Sequence, residues 1–196
     1  MILLFAILFG LIAGFIRARV GKRDYKSFSL KGIWLVFLAY LPQFFAFNLP
    51  ATRSIMSDSW IPPILVSSQI LLLVFVWINR TQSGFLLLGL GLLFNFLVIS
   101  LNGGMMPISP ETVNQLIEPG TTVNLQNGRR VGTGKDILLQ PADTKLSFLS
   151  DRFTLPKWIP YRLAYSFGDI LISMGAFWLL WQLGSPKFYS LEETTC

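Results

Sequence analysis

Hydrophobic positions gather into five long runs, at 2–16, 32–47, 60–78, 84–101 and 163–183, with polar stretches between them. A helix needs about 20 apolar residues to cross the hydrocarbon of a bilayer, within a range of roughly 17–25. The last three runs have that length, and the second reaches it as 32–49 by taking in Asn48 and Leu49. The first is short, and Arg17 and Arg19 extend it if their long side chains snorkel to the headgroups. It lacks both the leading basic residues and the small-residue cleavage site of a secretory signal peptide, so it reads as a span. The pattern predicts an all-α integral membrane protein. Five transmembrane helices form one domain, with a long structured outer loop at 102–162 between the fourth and fifth and a tail at 184–196.

Charge orients the bundle. The segment 17–31 carries six basic residues and one acid, Asp24, which places it in the cytoplasm by the positive-inside rule. Alternation then puts the N-terminus outside, the turn 79–83 inside, 102–162 outside and the C-terminal tail inside. The outer segment holds seven basic and five acidic residues, but it is about as long as the limit beyond which loop charge stops dictating orientation. Trp34, Trp60, Trp77, Trp158, Tyr161 and Trp181 lie near span ends, as interfacial anchors do. The formal charge of +6 therefore reads as topology, and no nucleic-acid partner is expected.

Composition narrows the chemistry. Hydrophobic residues make up 53% and charged residues 13%, well short of the roughly 25% charged of soluble domains. The absence of histidine removes His-based triads, His general bases and His-ligated metals. One cysteine, Cys196, makes neither an internal disulfide nor a cysteine-cluster zinc site. No cofactor and no metal is expected, and the chain does not read as an enzyme. Ser166 or Ser173 beside Asp169 has no His or convincing Lys base to activate it.

In the outer segment, Ser109-Pro110-Glu111 reads as a helix start running to about Glu118, and 121–132 reads as a small hairpin turning at Asn127-Gly128. Leu146, Phe148, Leu149 and Phe153 are expected to dock the segment on the outer ends of the helices.

Small residues mark helix-packing faces. Ala6, Gly10, Gly14 and Ala18 form one stripe. Gly32, Ala39, Gln43 and Ala46 form a second, Gly84, Gly91, Asn95 and Asn102 a third, and Ser166, Asp169, Ser173 and Ala176 a fourth. Asp169 is the one acid inside a span, and burying a carboxylate in hydrocarbon costs from about 2.5 kcal/mol upward. Two readings fit. Asp169, Asn95, Asn102, Gln69, Gln43 and Ser173, with Arg162 reaching in from the interface, form one polar binding pocket in the outer half of the bundle. Otherwise they are separate inter-helix hydrogen bonds. At the end of the fourth run, Asn102-Gly103-Gly104-Met105-Met106-Pro107 is read either as a helix cap and turn, with Asn102 tied to the fifth helix near Asp169, or as an anion-binding nest of amides.

The motif Asn102-Gly103-Gly104-x-Met106-Pro107 after a span, Leu146-x-Phe148-Leu149-x-Asp151 followed by Pro156, and Ser166-x-Gly168-Asp169-x-Leu171-Ile172-x-x-Gly175 opening the last span resemble a bacterial multi-spanning membrane family. That family is catalogued as domain of unknown function 5317. The resemblance implies a location in the bacterial inner membrane and brings no established activity. The expected role is an accessory or scaffold subunit, or a small homo-oligomer, whose partners are the lipid bilayer and other membrane subunits or itself. The alternative is a binder or carrier of a small amphipathic ligand through the pocket around Asp169.

Overall fold

The computed structural model describes residues 2–22, 24–25, 30–50, 56–117, 126–156, 158–159 and 161–184. The apolar runs form helices α1 (Ile2–Val20), α2 (Trp34–Phe47), α3 (Ile61–Ile78) and α4 (Phe85–Leu101). After the segment 102–162, which contains a short helix α5 (Pro110–Leu116), comes α6 (Phe167–Gln182). With its leading 3-10 turn, α3 is one of two helices long and apolar enough to cross a membrane, and α1 is the other. The helices α2, α4 and α6 are apolar but shorter.

The five long helices pack in the order α2–α3–α4–α6–α1, so the first helix closes on the last. Along α1, Gly10 meets the backbone of Phe177, and Gly14 meets Leu180 O. Gly184, just past α6, meets Gly14 O and Ala18 N, so α1 and α6 run parallel. In contrast, α4 and α6 run antiparallel, with Gly91 against Gly168 and Ile172 and Gly84 against Gly175 and Leu179. A Cβ on Gly91 would sit 2.5 Å from Gly168 O, so this seam admits only glycine. The antiparallel pair α2–α3 is tied by Ser68 Oγ donating to Ala39 O at 2.8 Å. At its other end, Lys31 N donates to Asn79 Oδ1 and Asn79 Nδ2 to Lys31 O, both at 2.9 Å. Successive long helices thus alternate in direction along the chain.

The segment between α4 and α6 folds as a cap on one end of the helices and corrects the all-α expectation. Strand β1 (Met106–Ile108) pairs in parallel with β2 (Asp136–Leu138), and β3 (Phe153–Thr154) pairs antiparallel with β4 (Ala164–Tyr165). The physical reason is burial. All three β1 residues are buried, so their backbone groups must find partners. Met106 N donates to Lys135 O, Leu139 N to Ile108 O and Asp151 N to Pro107 O. The β3–β4 pair takes residues that the hydrophobic run assigned to the last span, so α6 begins at Phe167 rather than 163.

Ser109 caps α5, its Oγ accepting from Thr112 N at 3.2 Å. That helix ends at Leu116, and Glu118 and 121–125 lie outside the described residues. The antiparallel pairing near the expected hairpin joins Arg130 to Ile137, turning later than Asn127-Gly128. Met105, Met106 and Leu149 join Ala46, Ile61, Leu65, Val98 and Ile99 in one buried cluster, with Leu146 packed against it. This cluster seats the cap on the helix ends. Phe148 and Phe153 are exposed instead, Phe153 stacking on Tyr165.

Candidate functional site

The residue pattern that opens α6 builds a polar lock against α4. Ser166 is the N-cap of α6 and Asp169 its third residue, and the two close a capping box. Ser166 Oγ accepts from Asp169 N at 3.1 Å, and Asp169 Oδ2 accepts from Ser166 N at 3.0 Å. Asn95, on α4, completes the ring. Its Nδ2 donates to Asp169 Oδ1 at 2.9 Å, and its Oδ1 accepts from Ser166 Oγ at 2.9 Å. Both carboxylate oxygens of Asp169 are therefore engaged. Gly168 makes the approach possible, because a Cβ there would collide with Asn95 Oδ1.

Beyond this lock, the cap holds an ion pair that the sequence reading missed. Lys135 Nζ donates to Asp151 Oδ2 at 2.6 Å and lies 3.6 Å from Asp136 Oδ1. The Asp151 side chain is 1% exposed, and its Oδ1 has no hydrogen-bond partner among the described residues. The Asp151 carboxyl is raised to about 7, and burial is the largest cause. Lys135 pulls it down, while the charges of Asp136 and Asp169 push it further up. For Lys135, burial acts to lower the ammonium's pKa, and the attraction of Asp151, Asp136 and Asp169 outweighs it, so the ammonium is held above its ordinary value. Only the order Leu146-x-Phe148-Leu149-x-Asp151, with an acid ending an apolar stretch, hinted at an inward-facing carboxylate.

The segment 27–181 matches the model of a family of unknown function (DUF5317). The chain belongs to that family. No curated protein and no solved structure matches it.

Of the residues assigned by sequence to the polar pocket, Asn95 and Asp169 hydrogen-bond to each other, and among the described residues no hydrogen bond joins either of them to Asn102, Gln69, Gln43, Ser173 or Arg162. Asn102 is held by the cap rather than by α6: its Nδ2 donates to Val98 O and Lys145 O, and its Oδ1 accepts from Lys145 N at 2.9 Å. Gly103 and Gly104 take positive φ, at 76° and 80°, as a cap requires. The Gly104 amide is spent on Ile99 O, and Pro107 sits in buried β1. Arg162 is exposed and donates to Gln115 O at 3.5 Å. Gln69 on α3 and Ser173 on α6 each bury an oxygen without a hydrogen-bond partner among the described residues. Gln43 lies half-buried on α2. The stripe of Gly10 and Gly14 is occupied within the chain by α6.

Proposed function

We propose that the chain is a five-span inner-membrane protein without catalytic machinery, acting as an accessory or scaffold subunit. The observation that carries this reading is the inside-out distribution of side chains. All five long helices turn large apolar residues outward, among them Phe9, Phe37, Val74, Leu86, Leu93 and Met174. Small and polar residues such as Gly91, Asn95, Ser68 and Ser166 are buried between the helices. Water would penalise such an arrangement, and a bilayer favours it. The helices α2, α4 and α6, with 14, 17 and 16 residues, lie at or below the usual length for a span. Turns at 31–33 and 183–184 lengthen two of them. The alternating helix directions support an outer N-terminus and an inner C-terminus once the basic segment is placed in the cytoplasm.

The scaffold role is tested by the size of the native particle extracted in mild detergent. A mass well above one 22.1 kDa chain plus micelle is expected. A strictly monomeric particle contradicts it. A second reading, a binder of a small amphipathic ligand beside Asp169, is favoured by the orphaned Gln69 Oε1 and Ser173 Oγ. Ligand binding or flux that survives Gln69→Leu and Ser173→Ala unchanged would retire it.

A further inference from the structure

We infer that the groove between α3 and α4 is a binding site for an anionic phospholipid of the cytoplasmic leaflet, with its phosphate held by Arg80. The inference rests on the membrane reading above. The groove has a volume of about 620 Å³, within the roughly 300–1,000 Å³ of small-molecule sites. Ile70, Val74 and Trp77 line one wall, and Leu86, Leu90 and Leu93 the other. Gly89 sets the closeness of the walls, since a Cβ there would lie 2.8 Å from Val76 Cγ1.

Length and charge identify the occupant. On α3 the lining runs from Ile70 to Trp77, with Arg80 beyond it, and on α4 from Phe85 to Phe96. At 1.5 Å per residue, the α3 wall measured out to Arg80 is about 15 Å long and the α4 wall about 16 Å, half of the roughly 30 Å hydrocarbon thickness. One leaflet's acyl chains have that reach, whereas a docked transmembrane helix needs a seam through both leaflets. Arg80 is the one charged residue of the lining among the described residues and stands at the end of the groove. Its guanidinium lies 4.3 Å over the Trp77 ring, and Nη1 donates to Trp77 O at 3.0 Å. That contact anchors the cation at the interface and leaves most of its five N–H donors for phosphate oxygens. The bonds between Asn79 and the Lys31 backbone set Lys31, at the end of the basic segment, against the residue that precedes Arg80.

The test is native mass spectrometry of the full chain from mixed micelles of phosphatidylglycerol or phosphatidylcholine. The wild type should retain one phosphatidylglycerol in preference to phosphatidylcholine. Arg80→Gln should weaken phosphatidylglycerol retention roughly fivefold and phosphatidylcholine, whose choline already neutralises its phosphate, by less. Leu90→Trp, which fills the groove from an exposed position, should weaken both. Retention insensitive to both variants overturns the assignment. So does loss of a dimer in Leu90→Trp with lipid retention intact, which would make the groove a helix-docking seam. A chain that stays in solution without detergent would instead refute the membrane reading itself.

Discussion

Asn95 and Asp169 stand 74 residues apart in the chain and share a hydrogen bond of 2.9 Å that joins two helices with glycine at their seam. Removing the Asn95 amide leaves Ser166 and Asp169 each short of a partner, at a cost of about 1–3 kcal/mol. Asn95→Ala should lower the thermal unfolding midpoint in detergent. Asp169→Asn, which keeps an acceptor for the capping box, should lower it less than Asp169→Leu. The double variant Asn95→Ala/Asp169→Leu should cost less than the sum of its parts, because both disrupt one ring.

The seam makes a steric prediction. Gly91→Ala and Gly168→Ala should both be strongly destabilising, since the new methyl meets Gly168 O in one and Asn95 Oδ1 in the other. Gly134→Ala, whose methyl would meet nothing closer than 3.6 Å, should stay within about 0.5 kcal/mol of the wild type. Equal loss at all three positions would remove close packing as the cause.

Asp151 predicts a pH dependence. Its folded pKa, about 7, stands above the ordinary 3.8, so the folded state binds the extra proton between those values. The corresponding stability is full below about pH 4 and falls as pH rises through 7. Lys135, also raised, stays protonated throughout that window and contributes no slope. The cap's unfolding midpoint should therefore fall between pH 4 and 7, and Asp151→Asn should flatten that part of the profile. A profile unchanged by Asp151→Asn would reject the assignment.

Asn102 predicts the behaviour of the cap as a unit. Its side chain makes two bonds to the Lys145 backbone, just ahead of Leu146, which holds φ at 54°. Asn102→Ala leaves those backbone groups unpaired and should raise the protease sensitivity of the cap while the helices stay intact. Asn102→Asp, which keeps only the acceptor, should fall between the two.

What was legible in the sequence follows from period and composition. Five apolar runs became five helices because continuous hydrophobicity with few breakers leaves a helix as the way to satisfy the backbone. The glycines of the third stripe carried a readable packing signal, since their spacing repeats along one face, whereas Gly168 stood only in the motif opening the last span. The meeting of Asn95 with Asp169 was legible only as one of two readings, because helix order is not encoded in span length. The start of α6 was misjudged because Leu163, Ala164 and Tyr165 are apolar yet pair with β3. The docked segment and its helix start were legible, but its strands escaped because two- and three-residue strands have no periodicity to detect, and the Lys135–Asp151 pair depends on a parallel contact between distant segments. The stripe of Gly10 and Gly14, legible as a packing face, is filled by α6 of the same chain.

Five crossings with the cap outside and the tail inside form the central claim. Labelling intact cells with a membrane-impermeant maleimide tests it most directly. Cys196 should react only after the membrane is permeabilised, while Gln140→Cys in a Cys196→Ser background, exposed on the cap, should react at once. Labelling of Cys196 in sealed cells, or protection of Gln140→Cys, would place the two ends of α6 otherwise and overturn the topology.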